Sequence, residues 1–432
     1  MSSPQALPAF SACGIELEYM LVHRSRLDVR AVAPQALALL GGDDCEPGLA
    51  WSNELVAHVI ELKNLQPSAA LQPLLESMQR EVRRANAVLS ALDVRLMPTA
   101  MHPRMDPEAE TRLWPDDPQQ IYATYDRIFS CKGHGWSNLQ SMHVNLPFGN
   151  DEEFVRLHAA VRVLLPILPA LAASSPIAEG RVTGYLDTRM DAYRANAARI
   201  PSIAGSLIPE GVASRDEYMS RILQPMYADI APLDPEGVLQ HEWLNSRGAI
   251  ARFDRNAIEI RVLDSQECVA ADLAIAGVAV AVTRALYDQT WSALDDQQAL
   301  TTDSLVRIFS GCVRDADAAI IDNPAYLGAL GFTGATCTAC ELWTSLIDRV
   351  PRDGAFFTDA AQALLRRMLV GGCLARRMLS SVGSVPRASR IHEMCESLCD
   401  CLEQGWLFDP SRASAGPLNR GRRGPQPVAR TL

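Results

Sequence analysis

Hydrophobic and polar residues alternate along the segment GIELEYMLV near the start of the chain. In a β-strand this alternation places Ile15 and Leu17 on one face and Glu16 and Glu18 on the other. Two carboxylates side by side on a sheet repel each other unless a cation lies between them. The segment therefore predicts a strand whose polar face is either a divalent-metal site or an ordinary solvated surface.

A second strand-like run, residues 51–64, supplies Glu54 and Glu61. Their separation is odd, so one regular strand would point them to opposite faces of a sheet. A shared site requires a bend or a bulge between them. Without one, we expect an exposed acid and an acid at the edge of the core.

A third predicted strand, residues 140–146, places Ser141, His143 and Asn145 on one face. A histidine there is suited to bind a metal ion or a nucleotide phosphate. A lone strand histidine is nevertheless more often a structural residue with satisfied hydrogen bonds. The strand alone leaves both interpretations open.

A hairpin is predicted at residues 250–264, with a turn at 254–257, and Glu259 and Arg261 share its polar face. Such a pair is either a surface ion pair or part of a metal and phosphate site. Four strands that each present acids, His or Arg on one face favour a concave site for metal and nucleotide. Because the sequence has no phosphate-binding glycine loop, nucleotide would be held through metal and arginine.

Helical periodicity dominates the rest of the chain. Residues 66–92 predict an amphipathic helix that packs on a sheet, with apolar residues at Leu71, Leu74, Leu75, Met78, Val82, Ala85 and Leu89. Residues 270–407 are almost wholly helical in pattern. The alternation of strands and helices in the first half, followed by helices alone, predicts an α+β fold rather than a regular series of βαβ units.

The composition is that of an ordinary globular chain, with 48% hydrophobic residues among 432. We expect a single domain over residues 1–410, mixed in structure over 1–268 and mainly helical over 269–410. From residue 411 the sequence is rich in Gly, Pro and Arg, which predicts a flexible basic tail over 411–432.

The net charge of −11 argues against nonspecific binding to nucleic acid or to an anionic membrane, so the expected partners are small molecules. Residues 161–177 and 269–286 are strongly apolar but are interrupted by Arg162 and Asp272, and we interpret both as buried helices. No secretory signal is visible at the N-terminus. These features predict a cytoplasmic protein.

Eleven cysteines without a secreted framework indicate reduced thiols. Cys337 and Cys340 have spacing compatible with zinc when combined with Cys395, Cys399 and Cys401. The latter three lie in a predicted helix among leucines, where cysteine usually behaves as a small buried hydrophobe. We therefore favour structural cysteines over a zinc site.

The strand segments, in this order, resemble the glutamate-cysteine ligase type 2 or carboxylate-amine ligase family, which has a glutamine synthetase-like fold. The matching stretches span residues 14–264 and are GIELEYMLV, ELVAHVIELKN, SMHVNLPF, LAASSPIAEGRVTGYLDTR and RFDRNAIEIRVLD. The resemblance implies a curved, mostly antiparallel sheet of about six strands, with helices packed on its outer face and a helical C-terminal part.

The resemblance also implies roles for individual residues. Arg261 and Arg252 would face the phosphates of ATP as catalytic residues, and substrate would be bound by Arg189, Tyr185 and Asn145. Two or three Mg²⁺ ions would be held by six residues, namely Glu16, Glu18, Glu54, Glu61, His143 and Glu259. Asn145 stands where many carboxylate-amine ligases have a second histidine, and this difference bears on which amine is used.

The function implied is ATP- and Mg²⁺-dependent amide formation through an acyl phosphate, with glutamate as the carboxylate and an amine such as cysteine as the acceptor. Two alternatives stay open. One is a phosphotransferase of the phosphagen-kinase type on the same fold, and the other is a catalytically silent binding or scaffold protein. A homo-oligomer is compatible with all three.

Overall fold

The computed structural model describes residues 6–41, 45–117 and 120–413. The strands of the described chain are β1 (Gly14–His23), β2 (Leu49–Asn53), β3 (Val59–Asn64), β4 (Val94–Met97), β5 (Ser141–Pro147), β6 (Ile177–Ala178), β7 (Arg181–Val182), β8 (Ala249–Arg252), β9 (Ala257–Asp264), β10 (Ile320–Ile321) and β11 (Cys337–Thr338). Strands β6 and β7 form one small sheet and β10 and β11 another.

The α-helices alternate with the strands in the first half of the chain and dominate the second half. The helices before β8 are α1 (Ala33–Leu40), α2 (Leu71–Leu89), α3 (Pro107–Glu110), α4 (Ile121–Phe129), α5 (His134–Ser137), α6 (Asp151–Leu164), α7 (Leu168–Ala172), α8 (Thr188–Tyr193), α9 (Arg215–Tyr218) and α10 (Gln224–Ile230). The helices after β9 are α11 (Val269–Tyr287), α12 (Leu294–Ala299), α13 (Thr302–Asp315), α14 (Pro324–Ala329), α15 (Ala339–Arg349), α16 (Asp359–Gly371), α17 (Leu374–Val382), α18 (Ala388–Gln404) and α19 (Pro410–Ala413).

The main sheet has seven strands in the order β2-β3-β1-β5-β9-β8, and β4 also pairs with β1. Every pairing is antiparallel. Met20 of β1 is opposite Val59 of β3 on one edge and opposite Met97 of β4 on the other. Strands β5 and β4 therefore pair one after the other with the edge of β1 that faces away from β3. The predicted antiparallel sheet with a helical C-terminal part is confirmed, with one strand more than expected.

The apolar face of the sheet forms one continuous core with the helices that cover it. Ile15 and Leu17 of β1 are fully buried there, in the same core as Met78 of α2 and Ile275 of α11. The predicted amphipathic helix is therefore present, although it begins at Leu71, because Ser68 instead pairs with Cys13. Helix α11 and the segment Asp151–Ala172 are long and apolar enough to cross a membrane, but 94% and 89% of their apolar windows are buried inside the protein.

The opposite face of the sheet is covered only in part. Met20 and Val59 on this face pack into a second core with Met378 of α17 and Leu398 of α18. The remaining polar residues of β1, β3, β5 and β9 lie beside this core. The C-terminal helices therefore form one wall of a polar hollow on the sheet.

Two predictions concern the C-terminal part of the chain. Cys395, Cys399 and Cys401 are free thiols in the α17–α18 core, whereas Cys337 belongs to the main core. Cys337 thus lies in a different core from Cys395, Cys399 and Cys401. Residues 414–432 of the predicted tail lie outside the described residues, and residues 411–413 belong to the short helix α19.

Candidate active site

Strand register brings the polar residues of four segments together on one face of the sheet. Glu16 is opposite His143 across β1 and β5, and Glu18 is opposite Glu61 across β1 and β3. Asn145 of β5 is opposite Glu259 of β9. Because neighbouring strands are about 4.8 Å apart, these side chains converge although their segments are distant in sequence.

His143 lies at the centre of this hollow. Its Nδ1 atom is 2.9 Å from a carboxylate oxygen of Glu16 and 3.8 Å from one of Glu259, and its Nε2 atom is 3.9 Å from Glu18. Glu16, His143 and Glu259 each offer one ligand atom, and these atoms lie within 4.8 Å of one another. Carboxylate oxygens with an imidazole nitrogen at this spacing form a donor set for a divalent cation.

Neighbouring polar groups hold these side chains in place. The backbone N–H and the hydroxyl of Ser141 both donate to Glu18, at 2.7 and 3.0 Å, and the hydroxyl is also 2.9 Å from His143 Nε2. Asn145 Nδ2 donates to Glu16 at 3.2 Å. Such contacts fix the rotamers of metal ligands, so the cluster is preorganised.

An irregularity in the sheet lies beside His143. The pairing of β5 with β9 shifts between Met142 and Val144, so that Arg261 and Val262 of β9 together face His143. A β-bulge of this kind redirects side chains locally. It places Arg261 at the rim of the hollow.

Glu61 and Glu54 form the acidic end of the hollow. Glu61 accepts hydrogen bonds from Ser52 at 2.6 Å and from Lys63 at 2.5 Å. Glu54 directly follows β2, and residues 54–58 turn the chain back into β3. The bend that the sequence requires between the two acids is therefore a complete chain reversal between paired strands.

The pKa values show where negative charge is poorly compensated. Burial raises the pKa of Glu54 well above its usual range, and the charges of Glu18 and Glu61 raise it further. The pKa of Glu61 is also raised, first by burial and then by the charge of Glu16. Deprotonated acids at this end need more positive charge than Lys63 supplies, which a divalent cation would provide.

The centre of the hollow is better compensated. Burial would raise the pKa of Glu16, but the hydrogen bond and the charge of His143 lower it to about 2. Burial would likewise lower the pKa of His143, but the hydrogen bond to Glu16 and the charges of Glu18 and Glu259 raise it to about 9. Without a metal ion, the protonated imidazole is itself the cation between these carboxylates.

Two arginines form the opposite end of the hollow. Arg261 Nε donates to Glu259 at 2.5 Å, and one of its terminal nitrogens is 3.4 Å from the carbonyl oxygen of Asn245. Arg252 is 3.5 Å from Glu259 and donates to Asp254 at 3.0 and 3.1 Å. The Arg261 side chain is 19% exposed, so it is available to an anionic ligand.

Two predicted substrate-binding residues lie outside this cluster. Arg189 of α8 is 2% exposed, donates to Asp264 at 2.5 Å and also contacts the carbonyl oxygen of Arg261. It thereby braces the end of β9. Within the described part of the chain, no hydrogen bond or ion pair joins the Tyr185 side chain to the carboxylates. Substrate binding by Arg189 and Tyr185 stays a prediction.

The structure thus groups most of the predicted site. Eight residues share direct contacts or opposite positions in the sheet, namely Glu16, Glu18, Glu61, His143, Asn145, Arg252, Glu259 and Arg261. Glu54 joins them through its electrostatic interactions with Glu18 and Glu61.

Residues 12–400 match the family model of glutamate-cysteine ligase family 2 (GCS2). The chain belongs to this family. Glutamate-cysteine ligase family 2 is a family of carboxylate-amine ligases, so the predicted class of enzyme is confirmed at this level.

Relatives of this GCS2 member include an uncharacterized protein of Archaeoglobus fulgidus, which is 33% identical over 356 residues, or 82% of this chain and 87% of that protein. A Clavibacter sepedonicus protein with the name "Putative glutamate--cysteine ligase 2" is 29% identical over 184 residues, or 41% of this chain and 45% of that protein. The match therefore spans less than half of that relative.

The crystal structure of a bifunctional glutathione synthetase from Pasteurella multocida is similar in fold, with a TM-score of 0.56 and 12% sequence identity. The match covers 94% of this chain and 53% of that one. At this identity the likeness concerns the fold alone, and it agrees with the α+β architecture described above.

Three residues that contribute to the site of this GCS2 member were not assigned a role from the sequence. Lys63 lies two residues after Glu61 and Ser141 two residues before His143, so strand alternation already placed each of them on the polar face. The contact of Asp264 with Arg189 joins β9 to α8, and no local pattern reveals such a pairing.

Proposed function

We propose that this GCS2 member is an ATP- and Mg²⁺-dependent ligase that joins the γ-carboxylate of glutamate to an amine such as the α-amino group of cysteine. The observation that carries the proposal is the convergence of ligand atoms from Glu16, His143 and Glu259 within 4.8 Å of one another. This cluster lies directly beside Arg261, which donates to Glu259. The arrangement suits a reaction in which two anionic groups must meet.

The chemistry of the donor set fits magnesium, which prefers oxygen ligands. The raised pKa values of Glu54 and Glu61 support the same assignment, because the charge of Lys63 compensates these two acids only in part. The residues that would hold the ions are Glu16, Glu18, Glu54, Glu61, His143 and Glu259. Bound Mg²⁺ would supply positive charge that offsets the repulsion between the substrate carboxylate and the γ-phosphate.

The arginines would act on the phosphate groups of ATP. In the proposed reaction, a carboxylate oxygen of the substrate attacks the γ-phosphorus, and the bond to ADP breaks. Arg261 and Arg252 would orient the transferring phosphoryl group and partly neutralise it. The amine nitrogen then attacks the carbonyl carbon, phosphate leaves, and the nitrogen releases a proton to give the amide.

The proposal is tested by measuring ADP, phosphate and amide with glutamate and a panel of amines. We expect phosphate release only when ATP, Mg²⁺, carboxylate and amine are all present. Glu16→Gln should lower the rate at least 100-fold with an unchanged circular dichroism spectrum, because it removes an anionic ligand. Glu236→Gln is a matched control, since Glu236 is an exposed acid and, within the described chain, no hydrogen bond or ion pair joins it to the site residues.

Other outcomes would contradict the proposal in different ways. ADP formed with a phosphorylated guanidine and without an amide would indicate a phosphotransferase instead. Failure of MgATP to bind in calorimetry would indicate a silent binding protein. Equal rates for Glu16→Gln and Glu236→Gln would show that Glu16 is not part of the reacting site.

A further inference from the structure

A cavity of about 510 Å³ lies between helices α2, α11 and α16, on the helical side of the sheet. Its floor is apolar and includes Leu71, Leu75, Leu273, Phe356 and Leu364. Helices α2 and α11 pack on the apolar face of the sheet, so the cavity is separated from the carboxylate hollow by the sheet itself. The volume falls within the range of small-molecule sites.

The wall around Phe356 is fixed in position. Asp353 accepts hydrogen bonds from the backbone N–H groups of residues 355, 356 and 357, at 2.8 to 3.0 Å. The N–H of Leu71 donates to the carbonyl oxygen of Ala355 at 2.9 Å. Gly277 allows α11 to approach closely, because a Cβ atom there would lie 2.3 Å from the carbonyl oxygen of Phe356. The protein's own contacts therefore hold this wall of the cavity in place.

A buried acceptor lines this cavity without a partner. Gln79 is 8% exposed, and its Nε2 atom donates to the carbonyl oxygens of Leu402 and Glu403 at 2.9 and 3.3 Å. These two bonds fix the orientation of the amide, because a flipped amide would place oxygen against oxygen. Across the ranges that the structure describes, Oε1 has no hydrogen-bond partner. It lies beside Gly405, another residue of the cavity wall.

The mouth of the cavity carries excess positive charge. Arg83 donates only to the neutral carbonyl oxygens of Glu403 and Gln404, both at 3.1 Å, and Arg367 has no acidic partner among the described residues. Arg80 at the same mouth is compensated by Glu46 at 2.9 Å. Glu76 is the acid that lines this mouth. The balance favours an anionic group in the ligand.

We propose that this cavity is a second small-molecule site, distinct from the carboxylate hollow. Its ligand would have an apolar, ring-sized body, an N–H or O–H donor for Gln79 and an anionic group for Arg83 and Arg367. Indole carboxylates have this chemistry, with an aromatic body, a ring N–H and a carboxylate. The site stands independently of the function proposed for the other face of the sheet.

The experiment is isothermal titration calorimetry of the whole chain with indole-3-propionate as the probe. We expect saturable binding to the parent protein at one site, with a dissociation constant below 1 mM, which corresponds to roughly −4 kcal/mol. Gln79→Leu should weaken binding about tenfold, because it removes one buried hydrogen bond. N-methylation of the probe should weaken its binding to the parent protein about tenfold as well. It should not change the binding of the probe to Gln79→Leu.

Four more variants complete the test. Arg367→Gln should weaken binding several-fold, whereas Val370→Thr, exposed on the same helix and outside the cavity, should leave it unchanged. Ala274→Phe fills the cavity from α11 and should abolish binding. If Ala274→Phe does not fold, Leu75→Trp should abolish binding by filling the cavity from α2. Each variant is compared with the parent by circular dichroism.

Two results would overturn the inference. One is the absence of probe binding to the folded parent protein at millimolar concentration. The other is a parent dimer in sedimentation that Ala274→Phe converts to monomers, because the face would then be an interface between copies of the chain. Ligase activity is not a readout here, so failure of this inference is distinguishable from failure of the proposed function.

Discussion

Replacement of His158 should change both the stability of the protein and its dependence on pH. His158 lies on α6, is 4% exposed and has ring contacts with Phe154 and Tyr218, each with centroids 5.7 Å apart. Neither ring nitrogen has a hydrogen-bond partner within the described chain. Burial lowers the pKa of His158 to about 3, and the charge of Arg162 contributes in the same direction.

The magnitude follows from the protons bound by the two states. An unfolded imidazole has a pKa of roughly 6.5, whereas folded His158 stays neutral down to about 3. The unfolded chain therefore binds more protons between these values, and the free energy of unfolding falls as pH drops below 6.5. Between pH 7.5 and pH 5.5 this one group should cost about 1.3 kcal/mol of stability.

His158→Leu removes this proton-linked loss at similar side-chain volume. It also removes two buried, unpartnered nitrogens, and we expect the free energy of unfolding to rise by about 1–3 kcal/mol at pH 7.5. The advantage of the variant over the parent should then grow by about 1.3 kcal/mol at pH 5.5. His158→Gln should also remove the pH-dependent loss of stability. It should not raise the free energy of unfolding at pH 7.5, because it keeps a buried polar group.

Urea denaturation followed by tryptophan fluorescence at the two pH values measures these differences. The reasoning would be refuted if the free energies of unfolding of His158→Leu and the parent differed by the same amount at pH 7.5 and at pH 5.5. It would mean that the folded state stabilises the charged imidazole, for example through a buried water molecule.

Three other substitutions test the packing and the site. Gly277→Ala should destabilise the fold by about 1–3 kcal/mol in urea denaturation, because its methyl group would clash with the backbone of Phe356. Arg377→Leu leaves Glu267 buried without its cation and should cost about 3–5 kcal/mol in the same assay. Ser141→Ala should raise the Mg²⁺ concentration needed for half-maximal ligase activity roughly 10- to 100-fold, and an unchanged requirement would contradict its positioning role.

The central part of the site was predictable because its pattern is local. Alternation within a strand fixes which side chains share a face, and Glu16, Glu18, His143 and Asn145 all lie where that alternation places them. The pairing of the strands was not predicted, because no pattern within β1 says which segment lies beside it. The resemblance to the family implied only a curved, mostly antiparallel sheet of about six strands. The bulge that brings Arg261 opposite His143 is likewise a property of two strands together.

Residues whose environment depends on distant contacts were harder to interpret. The sequence around Arg189 gives no sign that its guanidinium forms an ion pair with Asp264, since the two residues meet only when α8 packs against the end of β9. Strand β4 has four residues, VRLM, too few for a clear alternation. It adds the seventh strand to a sheet that was expected to have about six.

The central position of β1 has a consequence for altering the specificity of the enzyme. Backbone ladders pair Glu16 of β1 with both β3 and β5, so Glu16 cannot shift without breaking bonds to two neighbours at once. Helix α4 is held over the polar face by side chains instead, such as the Asn53 amide that donates to Tyr122 at 2.9 Å. Substitutions meant to reshape the polar hollow without disturbing the sheet are therefore better placed on α4 than on β1.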